Sequence, residues 1–120
     1  MFDTQEHIDK LLLELRRGTV TLGVFSQLSK PQYGYSLVSL LNEKGVFVEP
    51  GTLYPLLRRL EKQGLLESKW DTNESRPRKY YLLSKTGTEV YDRLVTEWES
   101  MVQSLNAVIE KEGNEDNGID

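Results

Sequence analysis

The sequence contains no cysteine and a single histidine, His7. The first absence excludes a disulfide scaffold, a thiolate nucleophile and a cysteine metal site. The second leaves no imidazole cluster for a transition metal. A Ser/His/Asp arrangement is out of reach for a lone histidine near the N-terminus, and no glycine-rich phosphate loop is present. Glu97 with Glu99, and Glu43 with Glu49, could pair as carboxylates. Each pair sits in a polar, solvated pattern with no apolar pocket to shift a pKa. Catalysis is therefore not expected, and neither is a metal or cofactor. Long apolar runs are lacking too: the longest, Tyr80 to Leu83, has four residues, whereas a membrane span needs about 20. The opening residues Met1-Phe2-Asp3-Thr4-Gln5-Glu6 are acidic and carry no signal-peptide apolar stretch. These features predict a cytoplasmic chain with no membrane partner.

What is present fits one ordinary domain. Of the 120 residues, 38% are apolar and 28% charged, too apolar for disorder and enough for a modest core. A chain this small buries roughly 65% of its unfolded surface, so a partner chain would help it. The net charge is −4 but unevenly spread. Gly51 to Lys85 holds eight basic and four acidic residues, a local +4, against −8 elsewhere. A positive segment in a negative protein is an electrostatic footprint for nucleic acid, although a solvated face can look the same.

The spacing of apolar residues predicts the elements. Asp3 and Glu6 have the form of a capping box. Ile8, Leu11, Leu12 and Leu15 follow at helical spacing. Gly18 interrupts, and Val20, Leu22, Val24, Phe25 and Leu28 form a second apolar stretch; one bent helix or two would fit. A short helix is expected from about Tyr33 to Lys44, with Gly45 as a left-handed cap. Val46-Phe47-Val48 reads as an extended piece. The next helix has Thr52 as its expected cap and Pro55 in its first turn. Its apolar stripe is Leu53, Leu56, Leu57 and Leu60. At 100° per residue the opposite side carries Gly51, Pro55, Arg58 and Lys62, flanked by Tyr54 and Arg59. Two short helices with a tight connection, the second basic outside, match a helix-turn-helix.

A hairpin follows. Leu65 to Trp70 reads as one strand, Asp71-Thr72-Asn73-Glu74-Ser75 as a turn, and Arg76 to Leu83 as the return strand. A hairpin directly after a helix-turn-helix is a wing, and Arg76, Arg78 and Lys79 make it basic. Ser84 is the expected cap of a last helix reaching about Glu112. Tyr91, Leu94, Trp98, Met101, Leu105 and Val108 are spaced 3, 4, 3, 4, 3, a heptad seam, widened by Val95, Val102 and Ile109. An apolar stripe longer than its own domain calls for another chain to cover it, or for the N-terminal helix folded back upon it. Residues 113–120 are acidic and expected to be disordered.

These motifs resemble the PadR family of transcriptional regulators. Gly51-Thr52-Leu53-Tyr54-Pro55-Leu56-Leu57-Arg58-Arg59-Leu60-Glu61-Lys62-Gln63-Gly64-Leu65-Leu66 is similar to that family's recognition-helix segment. Gly34-Tyr35-Ser36-Leu37 resembles the start of its preceding helix. Arg76 to Gly87 resembles its wing and the start of its C-terminal helix, and Trp98 falls where members commonly carry a bulky aromatic. The match covers roughly residues 19–109, and the single C-terminal helix resembles the small subfamily with a compact dimerisation arm. Val48-Glu49-Pro50 departs from the more usual serine-containing approach to the recognition helix. The N-terminal helix, residues 4–17, is not shared by all members.

The expected fold is mainly α with a small β-hairpin: a winged helix-turn-helix over residues 1–84 and a dimerisation helix over 85–112. The resemblance implies a homodimer on double-stranded DNA, usually a repressor, often relieved by a small aromatic or amphipathic effector. The operator of a two-fold protein is expected to be an inverted repeat. A winged helix used only for protein contacts is the alternative. The expected DNA contacts are Tyr35, Thr52, Tyr54, Arg58 and Lys62 with Arg76, Arg78 and Lys79 of the wing. The expected dimer seam is Leu11, Leu15, Tyr91, Leu94, Trp98, Met101 and Leu105. Trp98 is also the residue an effector would meet; a dry aromatic core is the equal alternative.

Overall fold

The computed structural model describes residues 3–73 and 75–118, with residues 111–118 described by their backbone alone. Its elements are α1 (Thr4–Ser26), β1 (Gln32–Tyr33), α2 (Gly34–Glu43), α3 (Pro50–Lys62), β2 (Leu66–Asp71), β3 (Arg78–Leu83) and α4 (Lys85–Gly118). This is the expected mainly helical winged helix-turn-helix.

α1 runs unbroken through Gly18, which settles the choice between one helix and two. Asp3 caps it by accepting from the Glu6 amide at 2.9 Å. α2 and α3 both end as their glycines dictate. After α2, Gly45 adopts φ +87°, and after α3, Gly64 adopts φ +80°. In each case the amide beyond the glycine reaches back into the helix: Val46 to the Leu41 carbonyl at 2.8 Å, Leu65 to the Leu60 carbonyl at 3.0 Å. This six-to-one bond closes a helix whose glycine takes the left-handed conformation without a Cβ penalty.

The start of α3 corrects the sequence reading. Thr52 is not the cap. Glu49 takes the extended cap conformation, and Pro50 opens the helix. The amides of Thr52 and Leu53 both donate to the Glu49 carbonyl at 2.9 Å. Proline suits the first helical position because its fixed φ is already helical and its absent N–H is not needed. Pro55 consequently lies inside α3 rather than in its first turn.

The core joins these elements. Val24 and Phe25 of α1, Leu28 just beyond its end, Leu37 and Leu41 of α2, and Leu53, Leu56, Leu57 and Leu60 of α3 are buried with Leu66 and Tyr81 of the sheet. The whole predicted stripe of α3 thus faces inward. The sheet has order β1-β3-β2, all antiparallel. Its two-residue strand β1, with Gln32 opposite Tyr81 and Tyr33 opposite Tyr80, has no counterpart in the sequence reading. The segment 46–48 forms no strand; the Val48 amide is held by the Asn42 side chain at 3.1 Å. Within the expected turn, Glu74 lies outside the described residues.

Ser84 caps α4 as expected, accepting from the Gly87 amide at 2.9 Å. Its hydroxyl also donates to the Gly64 carbonyl at 2.7 Å, tying the end of α3 to the start of α4. α4 has 34 residues, about 51 Å of helix, in a molecule whose longest extent is 69 Å. Its backbone is helical to Gly118. The expectation of disorder for the acidic tail falls on residues whose side chains or placement lie outside the described set.

Candidate nucleic-acid interface

The sequence makes two basic elements, and the fold brings them to one groove. α3 presents Tyr54 and Arg58, and the wing presents Arg76, Arg78 and Lys79. With Tyr35 of α2 they line an open cleft of about 730 Å³. Tyr33, Gly34, Trp70, Pro77 and Tyr81 complete its walls. Cations set among aromatic faces suit a polyanion bearing flat bases and sugars.

Each side chain has a distinct setting. Arg58 is exposed on α3. Tyr54 is half-buried, and its ring passes over Gly34: a Cβ there would stand 2.6 Å from Cε1. Glycine at this position thus lets α2 and α3 approach. Tyr35 is 53% exposed and stacks on Tyr33, with centroids 5.7 Å apart and planes inclined by 9°. The Arg78 guanidinium lies over both rings, at 5.5 and 5.7 Å, and donates to the Tyr35 hydroxyl at 2.9 Å.

Lys79 is more constrained than a free phosphate contact. Its Nζ pairs with Glu61 of α3 at 3.2 Å and lies 5.3 Å from the Tyr81 ring centroid. Burial pulls its ammonium down, but the Glu61 carboxylate and Tyr81 outweigh this and hold it above the ordinary value. Glu61 also accepts from the Ser68 hydroxyl. That bond, with Lys79, keeps its carboxyl below the ordinary value against the opposing effect of burial. Lys79 thereby fastens β3 to α3.

Two expected contacts lie outside the cleft. Thr52 lines a second groove between α1 and α3, with Leu13, Arg16, Phe47 and Arg59. Lys62 stands exposed in the last turn of α3 and lines neither groove. Tyr33 and Trp70 line the cleft although neither is among the contacts expected from the sequence. Trp70 is 63% exposed on the wing, opposite Lys79. An aromatic turned outward beside a cation was the available signal, but alternation alone assigned it no role.

The expected seam residues lie bare along two helices. Leu94, Trp98, Met101 and Leu105 of α4 are exposed, as are Leu11 and Leu15 of α1. Trp98 is 42% and Leu105 58% accessible. Tyr91 differs: it is half-buried and meets Phe25 edge-on, with centroids 6.4 Å apart, so part of its ring already belongs to its own core.

Comparison with known proteins gives one answer. The model of the transcriptional regulator PadR-like family matches residues 22–93. A crystal structure of a PadR family transcriptional regulator from Eggerthella lenta is 43% identical, with a TM-score of 0.82, over 88% of this chain and 95% of that one. A PadR-like regulator from Bacillus cereus is 28% identical, with a TM-score of 0.72, over 80% and 96%. A transcriptional regulator of Mycobacterium tuberculosis is 36% identical over 75 residues, which cover 62% of this chain and 70% of the relative. These relatives are regulators of transcription, not enzymes. The chain belongs to the PadR-like family of transcriptional regulators.

Proposed function

We propose that this regulator acts as a homodimer that binds an inverted-repeat operator and represses transcription until a small aromatic or amphipathic molecule releases it. The observation that carries the DNA reading is the single cleft in which Arg58 of α3 faces Arg76 and Arg78 of the wing. A recognition helix in the major groove would read bases through Arg58 and the exposed part of Tyr54. Arg76 and Arg78 would meet the neighbouring backbone and fix the register.

Dimerisation is supported by the bare apolar face. Leu94, Met101 and Leu105 are exposed at heptad spacing along α4, and Leu11 and Leu15 are exposed one turn apart on α1. Monomers rarely leave so extended a patch uncovered. In a two-fold pair, Trp98 would approach its copy near the middle of the α4 seam, where two indoles can stack or open around a flat molecule. Such a molecule changes DNA binding only by preferring one spacing of the two recognition helices.

Selection of duplexes from a random pool tests this reading. The expected product is an inverted repeat with half-sites about one helical turn apart. Recovery of no preferred sequence would instead favour a winged helix used for protein contacts. For the effector, Trp70→Phe leaves Trp98 as the sole indole. Planar aromatic compounds should then quench its fluorescence and weaken operator binding together. Quenching without loss of DNA affinity would give a pocket but no switch.

A further inference from the structure

The wing meets α2 through a contact that neither base reading nor phosphate binding requires. We infer that the Tyr33 hydroxyl and the Asp71 carboxylate form a latch that positions the wing, and with it Arg78, relative to the recognition helix. The inference rests on the DNA-binding reading of the cleft.

The sheet explains why a latch is needed. β1 pairs only with Tyr80 and Tyr81 of β3. Beyond those residues, towards the tip, the hairpin is two-stranded, with Asp71 opposite Arg78 as its last pair. A two-stranded ribbon is marginal by itself in water. At this point Tyr33, 38 residues away in sequence, donates its hydroxyl to Asp71 Oδ2 at 2.6 Å. The other carboxylate oxygen accepts from the Asn73 amide at 3.1 Å, shaping the start of the turn. Across the ribbon, Arg78 lies over the stacked rings of Tyr33 and Tyr35. Both members of the final pair are thus fastened to one tyrosine pair, where a third strand would otherwise run.

The tyrosines in turn stand at the start of α2, which packs against the recognition helix. Tyr33 is the residue from which α2 starts, and Gly34 beside it carries the ring of Tyr54 from α3. Wing, α2 and α3 are therefore joined in one short path. Tyr33 and Asp71 act here as positioning residues: their role is to set the place of Arg78.

The competing explanation is electrostatic, and it has the opposite sign. If Asp71 were only an acidic neighbour of the DNA face, its removal would strengthen binding to a polyanion. The latch predicts that Asp71→Ala weakens operator binding despite the lost negative charge. Tyr33→Phe, which keeps the ring and its stacking, should weaken it similarly, by about three- to tenfold each, the worth of one net hydrogen bond. The double variant should bind no worse than Asp71→Ala alone, since that substitution already removes the bond that Tyr33→Phe removes. In the free protein, Tyr33→Phe should speed hydrogen exchange at the wing-tip amides while the α3 amides keep their protection. Tighter binding by Asp71→Ala, additive losses in the double variant, or unchanged wing-tip exchange would each overturn the latch. The exchange experiment needs no DNA, so failure of the latch is distinguishable from failure of the DNA-binding reading.

Discussion

Gly87 is the position at which one methyl group should do most damage. It lies in the first turn of α4, and a Cβ built there would stand 1.9 Å from the Leu65 carbonyl oxygen and 3.0 Å from its carbon. Ordinary contact begins near 3.4 Å, so about 1.5 Å of relief is required. Neither side yields freely. The Leu65 amide closes α3 by donating to the Leu60 carbonyl, and the Leu65 carbonyl accepts from Ser84 at 3.1 Å. Moving α4 away instead disturbs the Ser84 cap and its bond to Gly64. Overpacking costs about 1–3 kcal/mol, and one or two lost hydrogen bonds add about 1 kcal/mol each. Gly87→Ala should therefore cost about 3–4 kcal/mol and lower the melting temperature by about 10–15 °C for a domain of this size. Gly18→Ala is the control, because nothing lies within 4 Å of the added carbon and Gly18 is inside α1. It should stabilise by up to about 1 kcal/mol through helix propensity. Thermal melting at one fixed protein concentration reads both, since a dimer's transition shifts with concentration. Gly87→Ala melting within about 2 °C of the parent would refute the close approach that sets the direction of α4.

Four further outcomes follow from the exposed stripe, the cleft and the Glu61–Lys79 pair. Leu105→Asp puts a charge on an exposed position of the bare stripe, so the folded monomer should survive while an apolar seam loses several kcal/mol; a fully dimeric variant in sedimentation would place the seam elsewhere. Arg58→Ala should relax base preference at one position per half-site by about 1–3 kcal/mol. Lys79→Ala, already paired with Glu61, should instead cost about 1 kcal/mol or less of stability and should change the salt dependence of DNA binding less than Arg78→Ala does. Glu61 titrates below its ordinary value of 4.5 in the folded chain. Its contribution is therefore full above that value and is lost as pH falls towards the lowered folded value. The melting difference between the parent and Glu61→Gln should be present at neutral pH and vanish in acid.

The parts legible in the sequence were those fixed by near neighbours. The period of Leu53, Leu56, Leu57 and Leu60, the cap at Asp3, the left-handed Gly45 and the cap at Ser84 each depend on residues a turn or two away. The α4 seam is periodic for the same reason, although Tyr91 departs from it because Phe25 arrives from a distant part of the chain. What the sequence concealed is non-local. β1 has two residues, too few for an alternating pattern, and exists only because β3 lies beside it. The Glu61–Lys79 pair spans 18 residues, Tyr33–Asp71 spans 38, and Arg78–Tyr35 spans 43. The start of α3 differs for a local reason: Thr52 and Pro50 are both good starting signals, and proline's fixed φ puts the cap at Glu49, three residues before Thr52.

One face, built from α3 and the wing, is proposed to bind DNA and read its sequence. The most direct measurement is the affinity of the full chain for the selected inverted repeat and for a scrambled duplex across a salt series. Two wing arginines per protomer, four in the proposed dimer, give a slope of log K against log salt of about −3.6 from those residues alone. The slope should be at least that steep, with the inverted repeat bound more tightly than the scrambled duplex at every salt concentration. Equal affinity for the two duplexes, or a binding constant flat with salt, would contradict it.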